Sequence, residues 1–320
     1  MGKYVKKIFA GSSNPALAKK IADGCGTPLG DIKIEKFSDG ELWVKYEENL
    51  RGNDVFIIQS TNAPADHIVE LALLIDAAKR ASAQRINVVM PYFGYSRQDR
   101  KDEPRVPISA KVMMDIFIKA GADRIVTMDL HSTQIQGFSS KPVDNIYGSL
   151  VLMPELKLHF KKISSTDDLT VLIPDMGSSK LGQSYAKGLG MSFALIDKRR
   201  NAHNQSEVVS VVGELENQNV LIIDDMIDTA GTISNAAQVA KDKGALSVTV
   251  AATHGILSAN AIERLLNDTI DHIFITDTID MSHIKDCSKL KTISSAKIFA
   301  ETINRIHNGE SVSQLFRKVT

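Results

Sequence analysis

The densest chemistry in the chain lies in Val220-Leu221-Ile222-Ile223-Asp224-Asp225-Met226-Ile227-Asp228-Thr229-Ala230-Gly231-Thr232. Four apolar residues make a buried strand, and two carboxylates stand where that strand leaves its sheet. In an open α/β sheet, ligands bind at the carboxyl ends of the strands. The run of small and hydroxyl residues from Asp228 to Thr232 then opens a helix, and its unpaired amides and dipole suit a phosphate. Gly231 lets the backbone approach an anion closely, and the hydroxyls of Thr229 and Thr232 can donate to it. Asp224 and Asp225 can accept from vicinal sugar hydroxyls or hold a hydrated Mg²⁺. The bland alternative is an N-cap followed by a solvated acidic turn. That reading accounts for one acid, not for two at a strand end with this loop behind them.

Three further segments carry charge in a useful pattern. Asp197-Lys198-Arg199-Arg200-Asn201-Ala202-His203-Asn204 puts three consecutive cations after the apolar run Phe193 to Ile196. The run is either a local anion site or a solubilising loop. Tyr95-Ser96-Arg97-Gln98-Asp99-Arg100-Lys101-Asp102 is a mixed charge run, which in isolation reads as a solvated loop. His131 stands at a strand end with Asp129 two residues before it, a setting in which a histidine is more often structural than a ligand.

These segments sit on a regular frame. Val55 to Ile58, Arg85 to Met90, Arg124 to Met128, Leu169 to Ile173, Phe193 to Ile196, Val208 to Val212, Val220 to Ile223, Ala245 to Ala251 and His272 to Ile275 read as strands. Helical periodicity covers Ile68 to Ala83, Ile108 to Ala120 (closed by Gly121), Ser178 to Leu189 and about Ile233 to Lys243. Such alternation predicts an α/β protein with mainly parallel sheets covered on both faces. Gly121-Ala122-Asp123-Arg124-Ile125-Val126-Thr127 echoes Gly244-Ala245-Leu246-Ser247-Val248-Thr249-Val250, through a duplicated domain or by chance. The pattern restarts near Tyr147 to Pro154.

Composition closes off other classes. The 320 residues are 43% hydrophobic and 24% charged, which is ordinary for globular domains, and the length suits two of them. Lys plus Arg and Asp plus Glu both total 38. A general basic surface for nucleic acid is therefore not expected, because such binding rests on phosphate neutralisation. Cys25 and Cys287 have no zinc-ligand spacing and read as reduced thiols, in keeping with a cytoplasmic protein. No apolar run is long enough to span a membrane, and Ile8-Phe9-Ala10 is too short for a signal segment. Gly2 is followed by Lys6 where a myristoylation signal needs Ser or Thr.

The Val220 to Thr232 segment resembles the phosphoribosyl diphosphate (PRPP) binding signature of type I phosphoribosyltransferase folds. Phe37-Ser38-Asp39-Gly40-Glu41, the Tyr95 to Asp102 run and Pro107-Ile108-Ser109-Ala110-Lys111 precede it. So do Met128-Asp129-Leu130-His131-Ser132-Thr133-Gln134-Ile135-Gln136-Gly137-Phe138 and Pro142-Val143-Asp144-Asn145. With Asn308-Gly309-Glu310-Ser311-Val312-Ser313 the set is similar to the ribose-phosphate pyrophosphokinase (PRPP synthetase) family from about Ile8 to Phe316.

The resemblance implies two similar phosphoribosyltransferase-like domains, each a mainly parallel sheet flanked by helices. The first spans 1–149 and bears the ATP motifs; the second spans 150–320. It leaves open whether the C-terminal tail packs back on the first. It implies transfer of the β,γ-diphosphate of Mg-ATP to the 1-hydroxyl of ribose 5-phosphate, giving PRPP and AMP. Lys198 matches the catalytic lysine, with Arg200 beside it in a flexible loop that contacts substrate. Arg97, Gln98 and Asp99 fall at the ATP site, which Phe37, Asp39, Gly40 and Glu41 of a neighbouring subunit complete. His131 and Asp175 fall at metal positions, for an expected two Mg²⁺ ions. Ser178 stands where the family usually has a second Gly, which bears on the geometry of the Asp175 turn. Arg200, Asp224, Asp225, Asp228, Thr229, Ala230, Gly231 and Thr232 match the ribose 5-phosphate site. Arg51, Ser82, Gln136, Asp144, Asn145, Ser311 and Ser313 match a regulatory site for inorganic phosphate and ADP. The implied assembly is a homohexamer, and neither nucleic acid nor membrane is implied as a partner.

Two rivals stand beside this reading. A base phosphoribosyltransferase would consume PRPP and need no ATP motifs. A non-catalytic, synthetase-associated regulatory subunit would have a disrupted or extended interval between Lys198 and Asp224; here that interval is short and its cations are intact.

Overall fold

The computed structural model describes residues 4–163, 168–199, 208–284 and 287–318. The chain forms two compact units. Among the described residues, the first comprises 4–147, 278–280 and 294–318, and the second comprises 148–277 and 281–293.

In the first unit, β1 (Lys6–Ala10) leads into α1 (Pro15–Gly24). Asn14 caps that helix by accepting from Leu17 N at 3.0 Å, and Pro15 sits at its first turn, where a missing N–H costs nothing. A hairpin of β2 (Ile32–Lys36) and β3 (Leu42–Tyr46) follows. Next come β4 (Asp54–Ile58), α2 (Asp66–Arg80), β5 (Arg85–Met90), α3 (Ser109–Ala120), β6 (Arg124–Met128) and β7 (Val143–Ile146). The main sheet is five-stranded and wholly parallel, in the order β1-β4-β5-β6-β7. All five residues of β4 are buried, as a strand covered on both faces requires. The hairpin rests on α2, where the Tyr46 hydroxyl donates to Leu74 O at 3.0 Å.

A C-terminal helix, Ala296–Asn308, completes this unit by packing on α1. Phe299, Ala300, Ile303 and Ile306 are buried at helical spacing, and Gly309 ends the helix at φ +72°. Lys6 Nζ donates to Asn304 Oδ1 at 2.5 Å, and His307 Nδ1 lies 2.8 Å from the fully buried Asp54 carboxylate.

The second unit opens with α4 (Ser149–Ile163), β8 (Leu169–Ile173), α5 (Ser179–Leu189), β9 (Ser192–Arg199) and β10 (Val208–Val212). It continues with β11 (Asn219–Ile227), α6 (Gly231–Asp242), β12 (Ser247–Gly255), α7 (Ala261–Leu265), β13 (His272–Thr276) and β14 (Leu290–Ile293). The Ala296–Asn308 helix is α8. The seven-stranded sheet has the order β10-β9-β8-β11-β12-β13-β14, with only the β9–β10 pair antiparallel. One core lies between it and α6, built on Val220, Ile222, Ile233, Ala237 and Val250; another, built on Leu156, Val171, Tyr185 and Leu221, covers the opposite face. Leu221 and Ile222 are successive residues of one strand and so face opposite ways.

Two strands exceed their apolar runs. β11 continues to Ile227, so Asp224 and Asp225 lie inside it rather than at its exit. β9 continues to Arg199 because β10 pairs with it through Val208, placing the Lys198 backbone in a strand. Cys25 and Cys287 are free thiols, and burial pushes the Cys25 thiol up to about 11. None of the described helices is long and apolar enough to cross a membrane.

Candidate functional site

In the second unit the chemistry converges at the carboxyl edge of the sheet. β8 pairs with β11 only as far as Ile222, whereas β12 accompanies β11 to Gly255. β11 therefore outruns β8, and its open side there meets the turn that follows β8. Asp224 occupies this stretch, half-buried. Its Oδ1 accepts from Ser178 Oγ at 2.8 Å and from the Asp225 amide at 2.9 Å. Removal from water and, second, the Asp225 carboxylate push the Asp224 carboxyl up to about 7.

The turn after β8 is organised by Asp175, whose Oδ1 accepts from Gly177 N at 2.8 Å and Ser178 N at 3.3 Å. This exposed carboxylate lies one turn ahead of α5. Among the described residues, no three His, Cys, Asp or Glu side chains converge as a metal cage. Mg²⁺ does not need one, because it usually keeps several waters and takes one or two carboxylates together with substrate phosphates. Asp175 fits that sparse ligation. His131 brings a nitrogen donor, which suits a phosphate oxygen better than a hard cation.

Beyond β11, the Asp228-Thr229-Ala230 loop enters α6 at Gly231. Ala230 takes the left-handed conformation at φ +60°, unusual without glycine, and its neighbours hold it there. Ser258 Oγ donates to Asp228 Oδ1, Ser258 N donates to Asp228 O at 3.1 Å, and Arg264 Nη1 donates to Thr229 O at 2.9 Å. Thr229 and Thr232 are exposed at the mouth of the helix. A Cβ on Gly231 would meet Arg264 Nη1 at 3.3 Å, so the glycine leaves room for the brace. Ser258 and Arg264 carry no signal in the sequence, because they act on the loop from about 30 residues away.

In the first unit, the Phe37 to Glu41 motif is the tip of the β2–β3 hairpin. Phe37 N donates to Glu41 O at 2.8 Å, Glu41 N donates to Asp39 Oδ1 at 3.0 Å, and Gly40 turns at φ +96°. All four site residues of the tip are exposed, including the Phe37 ring at 55%. The Arg97–Gln98–Asp99 segment is tied to its surroundings. Gln98 accepts from Ser109 Oγ at the start of α3, and Asp99 Oδ2 accepts from Gln134 Nε2 at 2.9 Å. Gly94 seats the loop: a Cβ there would come within 2.0 Å of Thr61 O. His131 is exposed after β6, and Leu130 beside it is fixed by donation from its amide to Asn145 Oδ1 at 3.0 Å.

The residues matched to a regulatory site are spread over several elements. Arg51 adjoins Gly52, whose amide donates to Ser82 O at 2.9 Å, and Ser82 turns at φ +61°. Ser311 and Ser313 hydroxyls lie 2.8 Å apart. Asp144 pairs with Arg124, Asn145 serves Leu130, and Gln136 Nε2 donates to Thr133 O at 3.0 Å. Lys198 is described only in its backbone, and Arg200 lies outside the described residues.

Comparison with known proteins agrees with this architecture. Residues 6–121 match the N-terminal domain of ribose phosphate pyrophosphokinase, and residues 200–317 match the phosphoribosyl synthetase-associated domain. A ribose-phosphate pyrophosphokinase of Chlorobaculum tepidum is 52% identical over 97% of this chain and 94% of its own length. One of Clostridium tetani is 48% identical, with 97% of each chain covered. The crystal structure of phosphoribosylpyrophosphate synthetase from Mycobacterium smegmatis superposes with a TM-score of 0.89 at 36% identity, covering 95% of this chain and 99% of that one. Relatives this similar over nearly the whole length place the chain in the ribose-phosphate pyrophosphokinase family.

Proposed function

We propose that the chain acts as a ribose-phosphate diphosphokinase, moving the β,γ-diphosphate of ATP onto the 1-hydroxyl of ribose 5-phosphate to give PRPP and AMP. The observation that carries this reading is the β11–α6 junction, with two acids on the strand and a braced hydroxyl loop at the helix start. It occurs in a chain that matches curated ribose-phosphate pyrophosphokinases nearly end to end.

In this reading Asp228 to Thr232 hold the 5-phosphate. The first amides of α6 and the Thr229 and Thr232 hydroxyls donate to it, while Arg264 and Ser258 keep the loop in shape. Asp224 and Asp225 accept from the ribose hydroxyls and orient the 1-hydroxyl. Arg97, Gln98 and Asp99 take ATP, and the exposed hairpin tip of Phe37, Asp39, Gly40 and Glu41 completes the nucleotide pocket of a neighbouring subunit. A guanidinium plane and an aromatic ring can enclose a purine between them. His131 and Asp175 serve the diphosphate end, with Asp175 a ligand for one of two Mg²⁺ ions. Bound there, Mg²⁺ neutralises phosphate charge and favours in-line displacement. Lys198 and Arg200 add positive charge to the transferring group. The 1-oxygen forms a bond to the β-phosphorus and gives up its proton to solvent, the bond from that phosphorus to the α,β-bridging oxygen breaks, and AMP departs with that oxygen and the electron pair. The assembly is a homohexamer in the cytoplasm, with inorganic phosphate and ADP as effectors at Arg51, Ser82, Gln136, Asp144, Asn145, Ser311 and Ser313.

The purified chain should release AMP from Mg-ATP only when ribose 5-phosphate is present, one AMP per PRPP. AMP release independent of the sugar phosphate, or none at all, would overturn the assignment. The Asp224 carboxyl adds a pH signature. Its raised value means that ionisation, and with it the better acceptor for sugar hydroxyls, is gained as pH rises through about 7. From about pH 6 to about pH 8, kcat/KM for ribose 5-phosphate should therefore rise about tenfold. The step should vanish in Asp224→Asn; a step that persists in that variant assigns the titration elsewhere.

A further inference from the structure

Ser178 stands at the N-cap of α5, a position whose serine ordinarily turns its hydroxyl onto the helix's own amides. Here no such capping bond forms, and the hydroxyl donates instead to Asp224 Oδ1 at 2.8 Å, across from one strand end to the next. The backbone of the same residue is held from the other side, its amide donating to Asp175 Oδ1 at 3.3 Å. Ser178 thus joins, through one residue, the turn that carries Asp175 and the strand that carries Asp224.

The geometry points to Ser178 as a positioning residue for ribose 5-phosphate, one that donates to Oδ1 of Asp224 and so fixes the orientation in which that carboxylate meets the sugar. This inference rests on the assignment of Asp224 to the ribose hydroxyls. Two donors on Oδ1, the Ser178 hydroxyl and the Asp225 amide, set the rotation of the carboxylate. Without the hydroxyl, the carboxylate loses one of the two donors that fix its rotation, while the backbone turn around Asp175 keeps its amide bonds.

The test is a kinetic cycle on the full-length protein. Ser178→Ala should raise KM for ribose 5-phosphate about tenfold, the effect of losing one hydrogen bond to a charged acceptor. KM for ATP and kcat should stay within about twofold. Ser178→Thr, which restores a hydroxyl, should bring the value back to within about threefold of wild type. Asp224→Asn should raise the same KM, and adding Ser178→Ala to it should change little further, since the two act as one unit. If Asp224→Asn raises this KM and Ser178→Ala does not, the inference about Ser178 fails alone. Full additivity of the two substitutions overturns it as well. If neither changes it, the assignment of Asp224 to the sugar falls with it. A Ser178→Ala variant that raises KM for ATP equally is a distorted turn and refutes the positioning role.

Discussion

Lys198→Ala is expected to lower kcat by about 10²–10³-fold, the usual consequence of removing one preorganised charge donor from a developing phosphoryl negative charge. KM for both substrates should move by no more than a few-fold, because the proposed role of Lys198 stabilises the transition state more than the ground state. The expectation rests on the proposed role of Lys198, whose backbone pairs with Val209 of the antiparallel strand β10. Lys198→Arg keeps the charge but replaces a compact ammonium by a planar fork, and should recover only part of the loss. Steady-state turnover at saturating Mg²⁺, with far-UV circular dichroism to verify the fold, decides the matter. Near-normal turnover of the alanine variant would remove Lys198 from the mechanism.

Asp54→Ala should destabilise the first unit by about 3 kcal/mol, well beyond the loss of any exposed ion pair. Asp54 is the first residue of β4 and its side chain is wholly buried. It accepts from Arg85 Nε at 3.0 Å and from Arg85 Nη2, from Asn87 Nδ2 at 2.8 Å and from His307 Nδ1 at 2.8 Å. Deleting the carboxylate takes the shared acceptor from Arg85 and His307 and leaves Asn87 Nδ2 with Val55 O alone. The value is set at the lower end for a broken buried pair because the Arg85 side chain is 36% exposed and can recover water. A unit of this size should lose about 6–12 °C in its melting temperature, read by calorimetry. Asp54→Asn keeps one oxygen and should lose less. A midpoint unchanged within about 2 °C would show that the network contributes little.

Strands bounded by abrupt changes of composition are legible to the residue. Arg85–Met90, Arg124–Met128 and Leu169–Ile173 are apolar, β-branched runs buried on both faces, so periodicity and burial coincide. Where pairing outlasts hydrophobicity, the sequence misleads. β11 keeps its ladder to β12 through Ile227, which carries Asp224 and Asp225 into the sheet. The β2–β3 hairpin has no comparable signature, since none of its residues is fully buried and its apolar positions are covered by α2 and by Phe9 of β1. α1 announces its start in Asn14-Pro15 but is too short for periodicity to delimit it, and α8 has its stripe on a face that only α1 explains.

The site is legible where its residues are consecutive, as from Val220 to Thr232. It is illegible where a brace arrives from afar: Ser258 on Asp228, Arg264 on Thr229, and Ser178 on Asp224. Asn145 shows a residue with a readable motif and an additional duty, since its amide oxygen secures Leu130 next to His131.

The return of residues 294–318 to the first unit has a consequence for biosynthesis. The partner of α1 and the histidine on Asp54 are both supplied by α8, so the half translated earliest is finished last. The second unit can close once β14 has left the ribosome, whereas the first waits for α8 to follow. A premature stop just after Ile293 would therefore spare every acid and hydroxyl of the β11–α6 junction and still leave α1 with a bare apolar flank, marking the nascent product for chaperones or proteases.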